Sequence, residues 1–387
     1  MIKVLHHLNF YFVVVAFFIA GIYLLDPYPY SWGTDNKPIL KYLPVFIINI
    51  SIFFNIFFYI TSINRSRFAI GLFLILMFFG SCYSLLLSGN SFADSFMGRS
   101  LNSLTFINFV SLLHFKRYAT SFRRIFLYML ALYSLWMFIL LILQQTMNIF
   151  ELKHIFHEEI FIVTSSSILF FLFFKSYFTK IIFSFISISC GFLSFKLTGF
   201  VCSFLAIFFL SLAWWHINGK QKLNRRVFII FNYTILLLLS TSIGYFLFDY
   251  LPSGSPSVRL VTYLERFMMF LDSPIYGVVF TGSPILQHAW LVIPSHSDFL
   301  DILAFGGLAS LFLFLYYPIK IIISLYRNYS ELINKGHYFL IFNILLVISF
   351  LFVCTFNPVM HQPKLAIFFW FSLSHIILNA SLKRHNL

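Results

Sequence analysis

Long apolar stretches separated by short polar segments recur along the whole chain. A membrane-spanning helix needs about 20 predominantly apolar residues, within a range of about 17–25. The stretches that approach this length are 8–25, 43–62, 68–88, 101–115, 125–144, 159–174, 181–195, 197–217, 227–248, 299–326, 338–356 and 364–381. The weakest are 101–115 and the adjoining pair 181–195 and 197–217, so ten or eleven spans are the alternative to twelve. The pattern predicts an all-α, polytopic transmembrane bundle in which residues 1–387 form a single integral membrane domain.

The polar segments differ in charge on alternate sides of the predicted membrane. If the N-terminus lies inside and the chain alternates, most of the 26 Lys and Arg residues fall inside, in short clusters between the spans. Glu331 is the only acidic residue on that side. An excess of basic residues marks the cytoplasmic side, whereas acidic residues contribute little to topology. We therefore predict that both termini are cytoplasmic and that the acidic outer loops serve a site on the outer face.

The longest hydrophilic interruption in the chain is the segment 249–298, which is predicted to be an outer loop. Within it, apolar residues recur at helical spacing over residues 257–271. This pattern predicts a short amphipathic helix at the outer membrane–water boundary. Arg259 and Arg266 are seven positions apart, which places them on one face of that helix, and Glu265 lies beside Arg266.

The composition excludes an ordinary soluble globular protein. Hydrophobic residues make up 60% of the chain and charged residues only 10%, with a mean hydropathy of +0.90, whereas a soluble domain has about a quarter charged residues. A chain with so little charge cannot cover its surface with polar groups, so we expect lipid around it. The net charge of +14 does not predict nucleic-acid binding, because the basic residues lie in separate clusters between apolar spans.

Cysteine usage and motif content predict neither a cofactor nor a metal. The four cysteines lie in apolar stretches without metal-ligand spacing, and we interpret them as small buried hydrophobic residues: Cys82, Cys190, Cys202 and Cys354. The chain has no Walker loop, dinucleotide fingerprint, His-Glu-x-x-His or Asp-x-Asp pair. Because the predicted inner loops are short and basic, we expect no cytoplasmic site for a soluble nucleotide donor.

Two arginines are candidate ligands for phosphate, and one lysine is a further functional candidate. Arg259 and Arg266 offer forked donors that match phosphate oxygens, and two of them on one helical face suit a lipid-linked pyrophosphate. The alternative is that they extend to lipid headgroups. Lys196 is a lone charge between two apolar spans, where charges are often functional. The alternative for Lys196 is a turn residue that points outward.

The segment Pro294–Asp298 leads from the long loop into the next apolar span. His296 is predicted at the outer membrane surface, where an imidazole can hold or accept a proton near neutral pH. Ser297 or Asp298 is predicted to cap the following helix. The alternative is a capping segment with a solvent-facing histidine. Further along the same span, Gly306-Gly307 indicates close helix packing.

Several of these elements, taken in order, are similar to those of a known family. An arginine precedes an aromatic residue in the long loop, a Pro-x-x-Gly element follows, and a His-Ser-x-x-Leu element leads into a glycine-containing helix. The corresponding residues are Arg259 and Tyr263, Pro274–Gly277, His296–Leu300 and Phe305–Leu308, with Phe195–Gly199 in an earlier outer turn. The chain thus resembles the superfamily of O-antigen polymerases and O-antigen ligases, polytopic enzymes of bacterial surface-polysaccharide assembly. Lys196 stands where the family's earlier element carries arginine.

The resemblance implies a GT-C-like helical fold in the bacterial inner membrane, with the active site on the periplasmic side. The implied substrate is an undecaprenyl-pyrophosphate-linked oligosaccharide. A polymerase of this kind moves the growing glycan from its lipid carrier onto a new lipid-linked repeat unit. Membrane lipid and a chain-length regulator protein are the other implied partners.

The resemblance also implies roles for individual residues. Three cations, Arg259, Arg266 and Lys196, are expected to bind the pyrophosphate without a metal. Cationic groups are needed there because negative charge develops on the leaving group. His296 is expected to orient the acceptor hydroxyl or to act as its base. Glu265 or Asp298 is the alternative carboxylate for that role.

Two other functions remain open from the sequence. A ligase of the same superfamily transfers finished glycan to the lipid A core, but the His296-Ser297 pair, in place of His-Asn, favours a polymerase. A lipid-linked oligosaccharide flippase needs charged residues along a path within the spans. Most charges of this chain lie instead at the ends of predicted spans or in outer loops.

Overall fold

The computed structural model describes residues 2–25, 38–61, 65–88, 91–114, 116–147, 159–194, 197–219, 229–235, 237–238, 240–241, 255–278, 297–355 and 359–383. About 92% of this part of the chain is helical, and it contains no strand. The prediction of an all-α protein is therefore confirmed. Two of the predicted site residues, Lys196 and His296, lie outside the described residues.

The helices follow the apolar stretches of the sequence. They are α1 (Ile2–Leu25), α2 (Pro38–Asn49), α3 (Ile52–Thr61), α4 (Arg65–Ser88), α5 (Ser91–His114), α6 (Lys116–Met147), α7 (Ile160–Phe173), α8 (Tyr177–Leu193), α9 (Leu197–Trp214), α10 (Ser255–Asp272), α11 (Asp298–Arg327), α12 (Tyr329–Asn334), α13 (Tyr338–Cys354) and α14 (Pro363–Lys383). A π-helical turn, Trp215–Gly219, extends α9, and a 3-10 turn, Val359–His361, precedes α14.

Three helices in the described part are long and apolar enough to cross a membrane: Thr120–Thr146, Thr198–Ile217 and Asp298–Ser324. Six shorter apolar helices accompany them: His7–Ala20, Arg67–Tyr83, Ile160–Phe173, Tyr177–Leu193, Tyr338–Cys354 and Pro363–Asn379. This set of apolar helices is compatible with a membrane protein. The number of twelve spans and the GT-C-like arrangement stay predictions.

The apolar stretch 43–62 is divided between α2 and α3, although its hydropathy predicts one continuous helix. Polar side chains from neighbouring helices surround the break. Ser51 Oγ donates to Asn9 Oδ1 (2.9 Å), and Asn55 Nδ2 donates to Asn108 Oδ1 (2.7 Å). A polar group in an apolar interior needs such partners, because leaving it unpaired costs several kcal/mol.

The helix α7 lies in the core of the bundle and is buried along almost its whole length. Its polar run Thr164–Ser167 is tolerated because each hydroxyl reaches a backbone or side-chain oxygen, as where Thr164 Oγ1 donates to the Ile160 carbonyl at 2.9 Å. The neighbouring helices α8 and α9 approach each other closely at Gly191 and Gly199. A Cβ at Gly191 would lie 2.7 Å from the Gly199 carbonyl oxygen, so small residues permit this packing.

Polar contacts between helix ends join segments for which the charge pattern predicts the same side. At the predicted outer ends, Arg99 contacts Asp298. At the predicted inner ends, Arg123 of α6 contacts His375 of α14, and Tyr329 donates to the Phe209 carbonyl at 2.9 Å. These contacts therefore form two separate polar groups, one on each predicted side.

Candidate functional site

Four buried charged side chains from three helices meet at one end of the bundle. Arg99 of α5 donates through Nε to Asp298 Oδ1 (2.9 Å) and through Nη2 to Asp301 Oδ2 (2.5 Å). Arg266 of α10 donates through Nε to Asp301 Oδ1 (3.0 Å). All four side chains are at most 1% exposed. We call this set the charged quartet.

The start of α11 explains why two of these charges point to one place. Ser297 caps the helix, since its Oγ accepts from the Leu300 backbone N–H at 3.3 Å, which is the usual N-cap geometry. Asp298 and Asp301 then lie three residues apart in the first turn, on the same face. Carboxylates at this position also complement the positive end of the helix dipole.

The quartet also fixes the turn before α14. The second oxygen of Asp298, Oδ2, accepts from the Met360 backbone N–H at 2.7 Å. The Met360 carbonyl in turn accepts from Asn102 Nδ2 at 2.9 Å. Because Asn102 follows Arg99 by one turn of α5, the middle of that helix contacts both α11 and the Val359–His361 turn.

A break in α11 holds α10 against the quartet. Gly307 has φ of +63° and ψ of −167°, a conformation open essentially to glycine alone. The backbone N–H groups of Leu308 and Ala309 leave the helical pattern and donate to the carbonyls of Pro274 (2.8 Å) and Ile275 (3.1 Å). The segment that follows α10 thus supplies the hydrogen bonds that the break removes.

The second partner in this contact is another glycine. Gly277 has φ of +72°, and a Cβ there would overlap the Phe305 backbone. Similarly, a Cβ at Gly307 would overlap the Ile275 backbone. The Pro-x-x-Gly element and the Gly306-Gly307 element of the sequence are therefore in direct backbone contact, and the prediction of close packing at Gly306-Gly307 is confirmed.

The quartet carries two positive and two negative charges, so its formal charge is zero. Charges taken out of water are stable only when paired and hydrogen-bonded. The Nε–H of Arg266 is directed to Asp301, and Arg266 Nη1 also lies 3.6 Å from Met269 Sδ. A surplus of positive charge for binding an anion must therefore come from cations beyond the quartet.

A second buried ion pair lies near the quartet. Lys364, in the first turn of α14, donates to Glu159, the residue that precedes α7. The Glu159 side chain is 3% exposed and that of Lys364 19% exposed. The short segment from Met360 to Lys364 thus contacts the quartet at one end and this pair at the other.

The structure brings together two of the predicted site residues, Arg266 and Asp298, through Asp301 and Arg99. Glu265 lies beside Arg266 on α10 and is half-buried. Arg259 lies on the same helix, two turns earlier. The predicted helix over 257–271 is confirmed, since α10 spans Ser255–Asp272.

Sequence reasoning missed Arg99 as a site residue. The hydropathy pattern placed the start of the fourth span at 101, which left Arg99 in a loop. In the structure α5 begins at Ser91, so Arg99 is enclosed in a helix interior and fully buried. A charge within an apolar helix is a functional candidate by default, so the signal was a longer helix than the hydropathy window recognises.

The remaining ionisable side chains form no metal site in the described part of the chain. Among the described residues, no three His, Cys, Asp or Glu side chains are grouped so as to hold a metal ion. All four cysteines are free, and Cys190, Cys202 and Cys354 are buried, as predicted, whereas Cys82 is half-buried. In comparisons with known proteins, no family model and no curated protein matches this chain.

Proposed function

We propose that this protein is a membrane glycosyltransferase that polymerises a lipid-linked surface oligosaccharide. The growing glycan is transferred from undecaprenyl pyrophosphate onto a new lipid-linked repeat unit at the periplasmic face of the inner membrane. The observation that carries the proposal is the charged quartet, which joins α10 to the start of α11. These are the two elements in which the resemblance to polysaccharide polymerases is concentrated.

The first supporting argument concerns the energetic cost of the quartet. Replacing a buried ion pair by apolar residues is often neutral or stabilising, so burial of four charges is not explained by stability. Charges in the apolar part of a membrane protein commonly mark functional sites. We infer that the quartet holds α10 in a defined orientation, because Arg266 and Asp301 tie that helix to α11.

The second argument concerns the cations that remain for the substrate. Arg266 is matched by Asp301, so within the set Arg259, Arg266 and Lys196 we assign the main contact with pyrophosphate to Arg259. Arg266 then acts chiefly by positioning α10. A guanidinium suits a diphosphate because its forked N–H groups match two oxygens at once.

The reaction itself is a substitution at the anomeric carbon of the donor glycan. The acceptor sugar hydroxyl forms the new C–O bond, the bond from carbon to the pyrophosphate oxygen breaks, and the hydroxyl proton passes to a base. His296 is our candidate for the base or orienting group, with Glu265 as the alternative. Asp298 is less suited to that role, since both of its oxygens accept hydrogen bonds within the quartet and its turn.

The decisive variant is Arg259→Ala, examined in a strain that lacks the native gene. Loss of the guanidinium should abolish long-chain polysaccharide while the protein stays in the membrane fraction. Lys335→Ala is the matched control, because it removes an exposed cation that pairs with Glu331 at the opposite, predicted inner end. Unchanged chain length in Arg259→Ala, at normal protein level, would contradict the assignment.

A deletion strain separates polymerase from the two alternatives. If the protein is a polymerase, its deletion leaves single repeat units attached to the lipid A core. If it is a ligase, its deletion leaves no glycan attached to the core. If it is a flippase, its deletion leaves lipid-linked repeat units on the cytoplasmic side. Either of the last two outcomes would overturn the proposed activity.

A further inference from the structure

A half-buried arginine with no acidic partner among the described residues lies at the end of the bundle opposite to the quartet. Arg123, near the start of α6, approaches His375 of α14, with 2.9 Å between Arg123 Nη2 and His375 Nε2. On the other side of the imidazole, Asn343 Nδ2 of α13 is 3.3 Å from His375 Nδ1. His375 is fully buried, whereas Arg123 is partly exposed.

The partners of Arg123 in the described part of the chain are all formally neutral or aromatic. Its guanidinium carbon lies 5.5 Å from the centroid of the Phe339 ring, at cation–π distance. Its Nε–H is buried and has no hydrogen-bond acceptor among the described residues. The nearby ionisable groups Arg124 and His337 are basic, so they add positive charge and do not compensate it.

The contrast with the quartet makes this environment unusual. Arg99 and Arg266 each contact a carboxylate at hydrogen-bond distance. On the predicted inner side the only acidic residue is Glu331, which pairs with Lys335 at 2.6 Å. A half-buried guanidinium with a buried, unused donor is costly unless an anion binds it. The chain itself supplies no such anion among its described residues.

We propose that Arg123 forms a binding site for a phosphate oxyanion at the ends of α6, α13 and α14. His375 and Phe339 hold the guanidinium in place, and its remaining N–H groups bind the phosphate oxygens. The phosphate is either the diester of a phospholipid headgroup or free inorganic phosphate, which share this chemistry. The site lies at the opposite end from the proposed transferase centre and does not depend on that activity.

The test uses the purified full-length protein in maltoside detergent, which carries no phosphate. Thermal unfolding is followed with a thiol-reactive dye that labels Cys190, Cys202 and Cys354 when these buried residues become exposed. One arm adds phosphatidylglycerol, and a second adds inorganic phosphate against chloride of equal ionic strength. We expect the midpoint temperature of unfolding to rise in at least one of these two experiments. A rise with the lipid alone identifies the headgroup, and a rise in both arms identifies the free oxyanion.

Variants assign the effect to Arg123. In Arg123→Gln the concentration needed for the same rise should increase about tenfold or more, the size expected for losing a charge-assisted hydrogen bond. Arg124→Gln removes the adjacent, exposed cation and should titrate like the native protein. If Arg123→Gln does not unfold cooperatively, Arg123→Lys replaces it. Lysine keeps the charge but lacks the fork, so we expect weaker binding.

Three outcomes would overturn the proposal. The first is a native protein whose midpoint responds to neither phosphate source. The second is an Arg123 variant, glutamine or lysine, that titrates like the native protein. The third is an equal loss of response in Arg123→Gln and Arg124→Gln, which would indicate a general effect of surface charge.

Discussion

The charged quartet makes a quantitative prediction about Asp301, whose carboxylate is shared by two arginines. In Asp301→Asn the Arg99 contact at 2.5 Å and the Arg266 contact at 3.0 Å both lose their negative partner. Arg99 keeps Asp298, whereas Arg266 loses the negative charge at its Asp301 contact. Removing one partner of a buried pair costs about 3–5 kcal/mol, mainly because the remaining charge stays desolvated. We expect the free energy of unfolding to fall by that amount.

The control applies the same chemical change to an exposed pair. Glu331 contacts Lys335 at 2.6 Å, but the two side chains are 46% and 60% exposed. An exposed pair of this kind contributes about 0–1 kcal/mol, so Glu331→Gln should cost no more than that. Detergent-induced unfolding in mixed micelles, followed by tryptophan fluorescence, measures both variants. The distances are similar, so the difference between the two variants reports burial together with the second arginine that Asp301 contacts.

A double variant separates charge imbalance from other consequences of the substitution. Arg266→Met together with Asp301→Asn removes one positive and one negative charge and leaves Arg99 paired with Asp298. We expect this variant to be more stable than Asp301→Asn alone, because the buried positive charge that faces Asp301 is removed together with the carboxylate. If Asp301→Asn is no less stable than Glu331→Gln, or if the double variant recovers nothing, the argument from buried charge fails.

Two further predictions concern the backbone contact and the second ion pair. Gly307→Ala should destabilise by about 3 kcal/mol or more and shorten the polysaccharide, since strain at a positive φ adds to overlap with Ile275. Gly336→Ala is the control, because Gly336 has a φ of +70° but a Cβ there would meet nothing within 4 Å; it should lower the free energy of unfolding by only about 1 kcal/mol. If both variants lose the same free energy of unfolding, overlap with Ile275 does not contribute. Lys364→Met should lower the free energy of unfolding by about 2 kcal/mol, because Glu159 stays buried and loses the Lys364 cation. A variant with the same free energy of unfolding as the native protein would show that this ion pair does not contribute to stability.

The hydrophobic pattern predicted several helices well, because a helix is determined largely by residues that are close together in the sequence. Apolar periodicity placed a helix over 257–271, within one or two residues of the observed Ser255–Asp272. The polar segment Ser297-Asp298 predicted the start of α11, and the hydroxyl of Ser297 is the observed cap. The glycine pair at 306–307 predicted close packing.

The contacts that build the quartet could not be predicted in this way. Arg99 and Asp298 are separated by 199 positions, and no periodicity relates residues so distant in the chain. The break at Gly307 is also a tertiary effect, since it requires the Pro274 carbonyl to replace a helical acceptor. The sequence identified acidic residues at the outer ends, but only the fold shows that Asp301 binds two arginines.

The different environments of three arginines provide the physical basis for assigning different roles to the two ends of the bundle. Arg99 and Arg266 share two carboxylates, so an incoming anion would have to compete with partners that are already close and desolvated. Arg123 has an imidazole and an aromatic ring as partners in the described part of the chain, so an anion would meet no carboxylate there. Electrostatic attraction is strongest where positive charge is desolvated and uncompensated. The arginine pairing alone therefore predicts that the quartet orders helices, whereas Arg123 binds an external anion.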